Sequence, residues 1–263
     1  MRTAQAKNAE ERAIVMKSFG LTDKGAVRKD NQDSFIIEKC DAADCTIIAL
    51  CDGMGGAKAG ELASRISNKA FVSYIYEKLT SRVRKKTELP QILEEACKEA
   101  NGVSYEYSMF DEMYRGMGST IVGGVIKNNG NGYIINVGDS RAYLISTDTN
   151  RITQITKDHS LVQELVESGA ITKEQAKVHP QRNVITRAVG SEATVKADLF
   201  PVSIGIYDVL LLCSDGLTNT LEEKEILDAA KENRDPEALC RFLLRKALNR
   251  NARDNVTVVA MAR

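Results

Sequence analysis

The stretch Ile47-Ile48-Ala49-Leu50-Cys51-Asp52-Gly53-Met54-Gly55-Gly56 runs from an unbroken apolar segment straight into an aspartate and three glycines. Three other segments repeat the placement. Asp139 follows Ile134-Ile135-Asn136-Val137-Gly138, and Asp215 follows Val209-Leu210-Leu211-Leu212-Cys213-Ser214. Asp254 comes just before Val256-Thr257-Val258-Val259-Ala260-Met261. Apolar runs of this length, rich in β-branched residues and bounded by Gly, Asp and Asn, read as buried strands. Carboxylates at the rims of such strands repel one another; at ~4 Å and an effective dielectric of about 20, each close pair costs roughly 4 kcal/mol. A hard divalent cation removes that cost, because Mg²⁺ and Mn²⁺ favour oxygen ligands. The pattern points to a carboxylate-built metal centre, and so to an enzyme.

Outward from these four segments, strand-like runs cover about 14–18, 34–39, 45–51, 119–127, 132–146, 151–155, 195–202, 208–213 and 256–261. Helical patterns cover about 59–79, 90–109, 222–231 and 236–249. Leu62, Ile66, Ala70 and Tyr74 stand four apart and predict one apolar helical stripe. Pro90 and Pro236 fall where a first helical turn tolerates proline. The helices come in pairs, and turns such as 127–131 and 147–150 join strands as hairpins. Strict βαβ alternation is missing, which argues against a doubly wound parallel sheet. The expected fold is α+β, with two antiparallel sheets packed face to face and flanked by helix pairs. Residues 157–187 are polar, hold both histidines and carry one short helical pattern over 161–168 that ends at Gly169. They read as a surface flap beside a site. The domain is expected to span 13–263, after an N-terminal extension over 1–12.

Composition narrows the function. Lys+Arg and Asp+Glu both number 36, so no net charge draws the chain to nucleic acid or to a membrane surface. The start is polar with no apolar core, and no apolar stretch approaches the ~20 residues of a membrane span. The six cysteines are scattered, with no CxxC pair, which favours a reduced cytoplasmic setting and disfavours a zinc site. Cys51 and Cys213 lie inside strand runs, where cysteine serves as a small hydrophobe.

Each motif has a plain structural reading beside its functional one. Asp52-Gly53-Met54-Gly55-Gly56 can be a tight strand-to-helix turn, or a loop whose exposed carbonyl joins a carboxylate on a metal; the GxxxxGK[ST] phosphate loop is absent. Residues 28–33, RKDNQD, can be a solvated turn, or can offer Arg28 as a fork for two phosphate oxygens with Asp33 near the metals. In 136–141 Asp139 can cap a hairpin-like bend and pair with Arg141. Asp215 can cap the helix that follows it.

In order along the chain, RKDNQD (28–33), ALCDGMGG (49–56), GMGST (116–120), NVGDSRAY (136–143), ITKDHS (155–160), HPQRNVITRAVG (179–190), LLLCSDGL (210–217) and ARDNVTV (252–258) resemble the metal-dependent phosphatases of protein phosphatase type 2C, in their compact bacterial branch. The resemblance runs from about Ser18 to Met261. It implies a four-layer αββα sandwich with two Mn²⁺ or Mg²⁺ ions at one end of the sheets. By resemblance Asp52 bridges the ions, the Gly53 carbonyl binds one, Asp215 and Asp254 ligate the other, and Asp33 acts directly or through water. Asp139 matches the residue of a weaker third metal, Arg28 the arginine that holds the substrate phosphate, and 157–187 the variable flap.

Two ions roughly 3.5–4 Å apart can share a hydroxide and present it in line with a P–O bond, which needs no covalent phosphoenzyme. The implied activity is hydrolysis of phosphoserine and phosphothreonine in proteins, opposing a bacterial Ser/Thr kinase, by a cytoplasmic monomer. The resemblance has departures. Animal members often carry histidine after the Asp-Gly pair as a candidate acid, where this chain has Met54. Metal-bound water, His159 or His179 could supply that proton, although each histidine also reads as a structural or capping residue. Gln32 stands where some relatives have an acid, and Asn183 at a flap position that in some relatives contributes to the third metal. Three other readings stay open: a phosphatase of a small partner-switching regulator, a general phosphodiesterase, and a catalytically inactive member that binds phosphoproteins. Retention of Asp33, Asp52, Asp215, Asp254 and Arg28 argues against the last.

Overall fold

The computed structural model describes residues 16–81 and 88–263; the extension expected over 1–12 and the start of the first expected strand lie outside them. Eleven strands and seven α-helices follow in the order β1 (Lys17–Asp23), β2 (Asp33–Cys40), β3 (Cys45–Met54), α1 (Ala57–Thr80), α2 (Leu89–Phe110), β4 (Gly118–Ser119), β5 (Ile121–Lys127), β6 (Asn131–Val137), β7 (Arg141–Ser146), β8 (Arg151–Gln154), α3 (Leu161–Glu167), α4 (Lys173–Lys177), β9 (Asp198–Ser203), β10 (Asp208–Cys213), α5 (Asp215–Thr218), α6 (Glu223–Glu232), α7 (Pro236–Asn249) and β11 (Val256–Ala262) among the described residues. One sheet runs β1-β11-β10-β7-β8; the other runs β2-β3-β5-β6-β9, with β4 added to β3. The pairings are antiparallel, as the hairpin spacing predicted.

The period of two along the strands sorts their side chains into three cores. On β3, Ile47, Ala49 and Cys51 face α1 and α2, joining Phe71, Ile75, Leu93 and Ala96. Ile48 and Leu50, the alternate residues, meet Leu210, Leu212, Val259 and Met261 of the other sheet. On β10 and β11, Leu211, Cys213, Val258 and Ala260 face α6 and α7 through Ile226, Leu239 and Leu243. The result is helix pair, sheet, sheet, helix pair. Because each central strand is covered on both faces, its sequence is continuously apolar rather than alternating.

The structure corrects three local expectations. The single run expected over 132–146 is two strands in different sheets: β6 ends at Val137, β7 starts at Arg141, and the chain crosses between sheets at 138–140. The expected bend at Asp139 is therefore a crossing and not a hairpin. The first strand runs Lys17–Asp23, later than expected, paired along its whole length with β11. The stripe Leu62, Ile66, Ala70 and Tyr74 is only half-buried, and the face turned to the core is Ala63, Ser67, Phe71 and Ile75, one residue further on. The 157–187 excursion contains α3 and a second short helix, α4, neither with a buried residue, and its ends meet at a bridge between Ser160 and Ile185.

Candidate metal centre

Register places the first two aspartates together. Asp33 opens β2 directly opposite Asp52 near the end of β3. Asp33 is buried, and its Oδ2 accepts hydrogen bonds from Thr257 Oγ1 (2.6 Å) and Ser214 Oγ (2.8 Å). These donors come from β11 and from the residue before α5, so one carboxylate pins both sheets together. Its other oxygen, Oδ1, is buried with no hydrogen-bond partner. Asp52 is held through its backbone: its N–H donates to Thr120 Oγ1 (2.9 Å), and its carbonyl accepts from Ser119 Oγ (3.0 Å) and the Thr120 N–H (2.8 Å). At the next residue, Gly53, an added Cβ would lie 1.9 Å from the Gly60 carbonyl, so α1 can approach only because this position has no side chain.

The other acids arrive from neighbouring strand ends. Asp215 begins α5, where its Oδ2 accepts from Asn219 Nδ2 at 3.0 Å; the expected capping role is not seen, since Ser214 holds the N-cap position and no side chain caps the helix. Asp254 precedes β11, and its Oδ2 accepts from Arg28 NH2 at 2.8 Å. The loop that carries Arg28 is clasped by buried Asn255, whose Nδ2 donates to the Lys24 and Asp30 carbonyls (2.9 and 3.0 Å) while its Oδ1 accepts from the Gln32 N–H (2.8 Å). Arg28 keeps a side chain about half exposed (52%), with one edge tied to Asp254 and the rest open to a ligand.

The electrostatics show that these groups share one space. Burial, and then the charges of Asp33, Asp215, Asp139 and Asp254, hold the Asp52 carboxyl well above the usual carboxylate range. Burial with Asp139, Asp254 and Asp33 does the same to Asp215. Asp33 is pushed up to about 6, by burial first and by Asp254, against the hydrogen bonds from Thr257 and Ser214. Asp139 is also pushed up to about 6, by burial and then by Asp158. Arg28, its own pKa raised by Asp254, Asp52 and Asp215, is the guanidinium set against this excess of carboxylates.

An oxygen-only donor set, a buried unpartnered carboxylate oxygen and carboxyls that resist ionising together suit a hard divalent cation. Among the described residues no three His, Cys, Asp or Glu side chains close around a single point. The carboxylates instead face a common space, as suits ions that keep several waters and take one or two carboxylates each.

The remaining candidates divide. Arg141 does not pair with Asp139; its Nε and NH2 fork onto Asp158 (3.0 and 2.6 Å) and its NH1 reaches Tyr143. Of the two histidines, His159 is buried, with Nδ1 accepting from the Gly138 N–H and Nε2 against Asp198, so the proton role expected of it meets a ring already engaged on both sides. His179, half-buried at the far end of the excursion, accepts from the Gln181 N–H, and Asn183 is exposed in the turn after it. The structure thus gathers Arg28, Asp33, Asp52, Gly53, Asp139, Asp215 and Asp254, and leaves His179 and Asn183 on the excursion. Ser214, Thr257, Thr120 and Asn255 were missed in the sequence, although all four lie inside a motif quoted above.

A two-sheet sandwich with outer helix pairs and an acidic, oxygen-donor end is the arrangement that the resemblance to metal-dependent phosphatases implied. The chain belongs to the protein phosphatase 2C family: the family model described as Protein phosphatase 2C matches residues 25–247. It is 37% identical over 243 residues to the serine/threonine phosphatase stp of Listeria welshimeri, covering 92% of this chain and 94% of that protein. The crystal structure of the serine/threonine phosphatase Stp1 from Staphylococcus aureus is similar with a TM-score of 0.86 at 36% identity, covering 94% of this chain and 95% of that one. The catalytic domain of the phosphatase PstP, in complex with two manganese ions, is similar with a TM-score of 0.78 at 30% identity, covering 94% and 98%.

Proposed function

We propose that this protein is a divalent-metal-dependent phosphatase that hydrolyses phosphoserine and phosphothreonine monoesters in proteins. The observation that carries the reading is the meeting of Asp33, Asp52, Asp215 and Asp254 with a half-exposed Arg28 at one end of the sandwich. The relatives' printed activities support it, and the manganese-bound PstP domain supports the metal.

Asp52, the Gly53 carbonyl, Asp33, Asp215 and Asp254 would hold two Mn²⁺ or Mg²⁺ ions, and Asp139 would serve a weaker third. When bound, such ions supply an activated water and positive charge for the phosphoryl oxygens. Arg28 docks the phosphate: one N–H stays on Asp254 while the free edge of the fork meets two phosphate oxygens. Ser214 and Thr257 saturate Asp33 Oδ2 and so leave Oδ1 as the oxygen available to a cation. The thiols do not compete as nucleophiles, since all six cysteines are buried and burial pushes the Cys213 thiol up to about 12. Free, buried thiols also suit a reducing cytoplasm. The substrates would be proteins phosphorylated by a Ser/Thr kinase.

The test is phosphate release from a phosphothreonine peptide by chelated protein to which Mn²⁺ is returned, with a phosphodiester in parallel. Release from the monoester alone, and only with metal, is expected. Turnover of the diester would move the reading to a phosphodiesterase, and no release at any metal concentration would move it to a phosphoprotein-binding module.

A further inference from the structure

The crossing between β6 and β7 carries Asp139, yet its preceding residue has no side chain to hold it. Gly138 sits at φ +102°, and a Cβ there would lie 2.5 Å from Thr120 Cγ2, so the position is closed to other residues. The bend is held from outside. The His159 N–H donates to the Gly138 carbonyl (2.9 Å), and Asn136 Nδ2 donates to the same carbonyl (3.1 Å). The Gly138 N–H in turn donates to His159 Nδ1 (3.1 Å). His159 thus grips both ends of this residue, once through its backbone and once through its ring.

That ring contact decides the proton. An amide N–H pointing at Nδ1 requires a lone pair there, so both the Nδ1–H tautomer and the imidazolium would set two donors head to head. The proton therefore sits on Nε2, which donates to Asp198 Oδ2 at 3.1 Å; Arg187 NH1 also lies 3.1 Å from Nε2, and with that nitrogen protonated it donates to Asp198 Oδ1 and the Lys196 carbonyl instead of to the ring. Asp198 Oδ1 accepts from Arg187 NH1 at 3.1 Å, and Arg187 closes the 157–187 excursion. Burial lowers the His159 pKa against the pull of Asp198, in keeping with a neutral ring that is only 3% exposed. The chain of contacts runs from the excursion through Arg187, Asp198 and His159 to the peptide that aims Asp139.

We propose that His159 is a positioning residue for Asp139, fixed in its Nε2–H tautomer by Asp198 and joined through Arg187 to the end of the 157–187 excursion. The role of Asp139 as a ligand rests on the phosphatase reading above; the grip on Gly138 does not. Orienting partners behind a ligand typically set metal affinity by 10–100-fold, although here the partner holds the backbone beside the ligand rather than the ligand itself.

Two near-isosteric replacements separate the halves of the ring. His159→Asn puts an amide oxygen where Nδ1 was, keeping the acceptor for Gly138. His159→Gln puts an amide group where Nε2 was, keeping Asp198 but losing that acceptor. In metal-free protein, the Gly138 amide is expected to stay protected from hydrogen exchange in His159→Asn and to lose protection in His159→Gln. Calorimetric Mn²⁺ titration is expected to show the weakest binding event about tenfold weaker in His159→Gln and near wild type in His159→Asn. Equal behaviour of the two variants in Gly138 exchange, whether both wild-type-like or both impaired, overturns the proposal. In the wild-type protein, ¹⁵N spectra of the imidazole are expected to show an unprotonated Nδ1 and a protonated Nε2 at pH 7; the other tautomer or an imidazolium overturns it whatever the variants do. Because exchange and spectra are read without metal or substrate, failure of the phosphatase reading leaves this test standing.

Discussion

Replacing Asp33 with asparagine should stabilise the metal-free protein while disabling its metal centre. The carboxyl of Asp33 is pushed from an ordinary 3.8 up to about 6, by burial first and then by the neighbouring charge of Asp254. Ionising it in the fold therefore costs about 3 kcal/mol more than in the unfolded chain. Since the folded value lies above the unfolded one, the native state keeps its proton longer. Stability of chelated protein falls as pH rises from about 4 to about 6, and this contribution is flat above that. Asparagine keeps an acceptor oxygen for Thr257 and Ser214 and puts an amide group, with no charge, at the place of the unpartnered Oδ1. Its advantage should be absent near pH 4 and reach up to about 3 kcal/mol at pH 7.5, or roughly 6–12 °C in Tm for a chain of this size. The assay is thermal unfolding of chelated wild type and Asp33→Asn across that pH range, repeated with Mn²⁺, which should raise only the wild type strongly. A gain that is the same at pH 4.5 and pH 7.5, or a loss at pH 7.5, would refute the argument that buried charge at Asp33 strains the metal-free fold.

Other perturbations test other parts of the site. Asp215→Ala should abolish metal-dependent phosphate release and weaken Mn²⁺ binding, with far-ultraviolet circular dichroism of the metal-free protein unchanged. Arg28→Ala should act mainly on KM for the phosphopeptide, lowering kcat/KM by roughly 10–100-fold for a lost charge-assisted contact, and a large fall in kcat at constant KM would instead assign Arg28 to the transition state. Gly53→Ala should lower Tm and blunt the response to Mn²⁺, because a Cβ there would lie 1.9 Å from the Gly60 carbonyl; wild-type melting in both conditions would count against that packing.

Much of this architecture was legible because local chemistry and burial agree. The segment 236–249 has Asp235 accepting at its N-cap, proline in its first turn and an apolar face, and it is a helix with those bounds. The run 208–213 is a strand with those bounds for the same reason: apolar residues demanded on both faces leave no other reading. The site aspartates were legible as rim residues of such strands. What could not be read was anything set by strands meeting from different sheets. The run 132–146 looks continuous because β6 and β7 are both mostly apolar, and the positive φ at Gly138 marks the crossing. The partners of Asp33 are hydroxyls from residues 181 and 224 positions away. Arg141 has Asp139 two residues off, yet it turns to Asp158, whose carboxylate it meets with a fork. The core face of α1 is offset by one residue from its apolar stripe because small polar residues, Ser64, Ser67 and Asn68, are buried on that face and carry no hydrophobic signal.

The central claim is that the aspartates at this end of the sandwich form a divalent-metal centre for phosphate ester hydrolysis. Anomalous scattering from Mn²⁺-soaked crystals tests it most directly. Two strong peaks among Asp33, Asp52, the Gly53 carbonyl, Asp215 and Asp254 are predicted, with a weaker one near Asp139. Manganese found elsewhere on the protein, with that space free of anomalous density at saturating metal, would contradict the account.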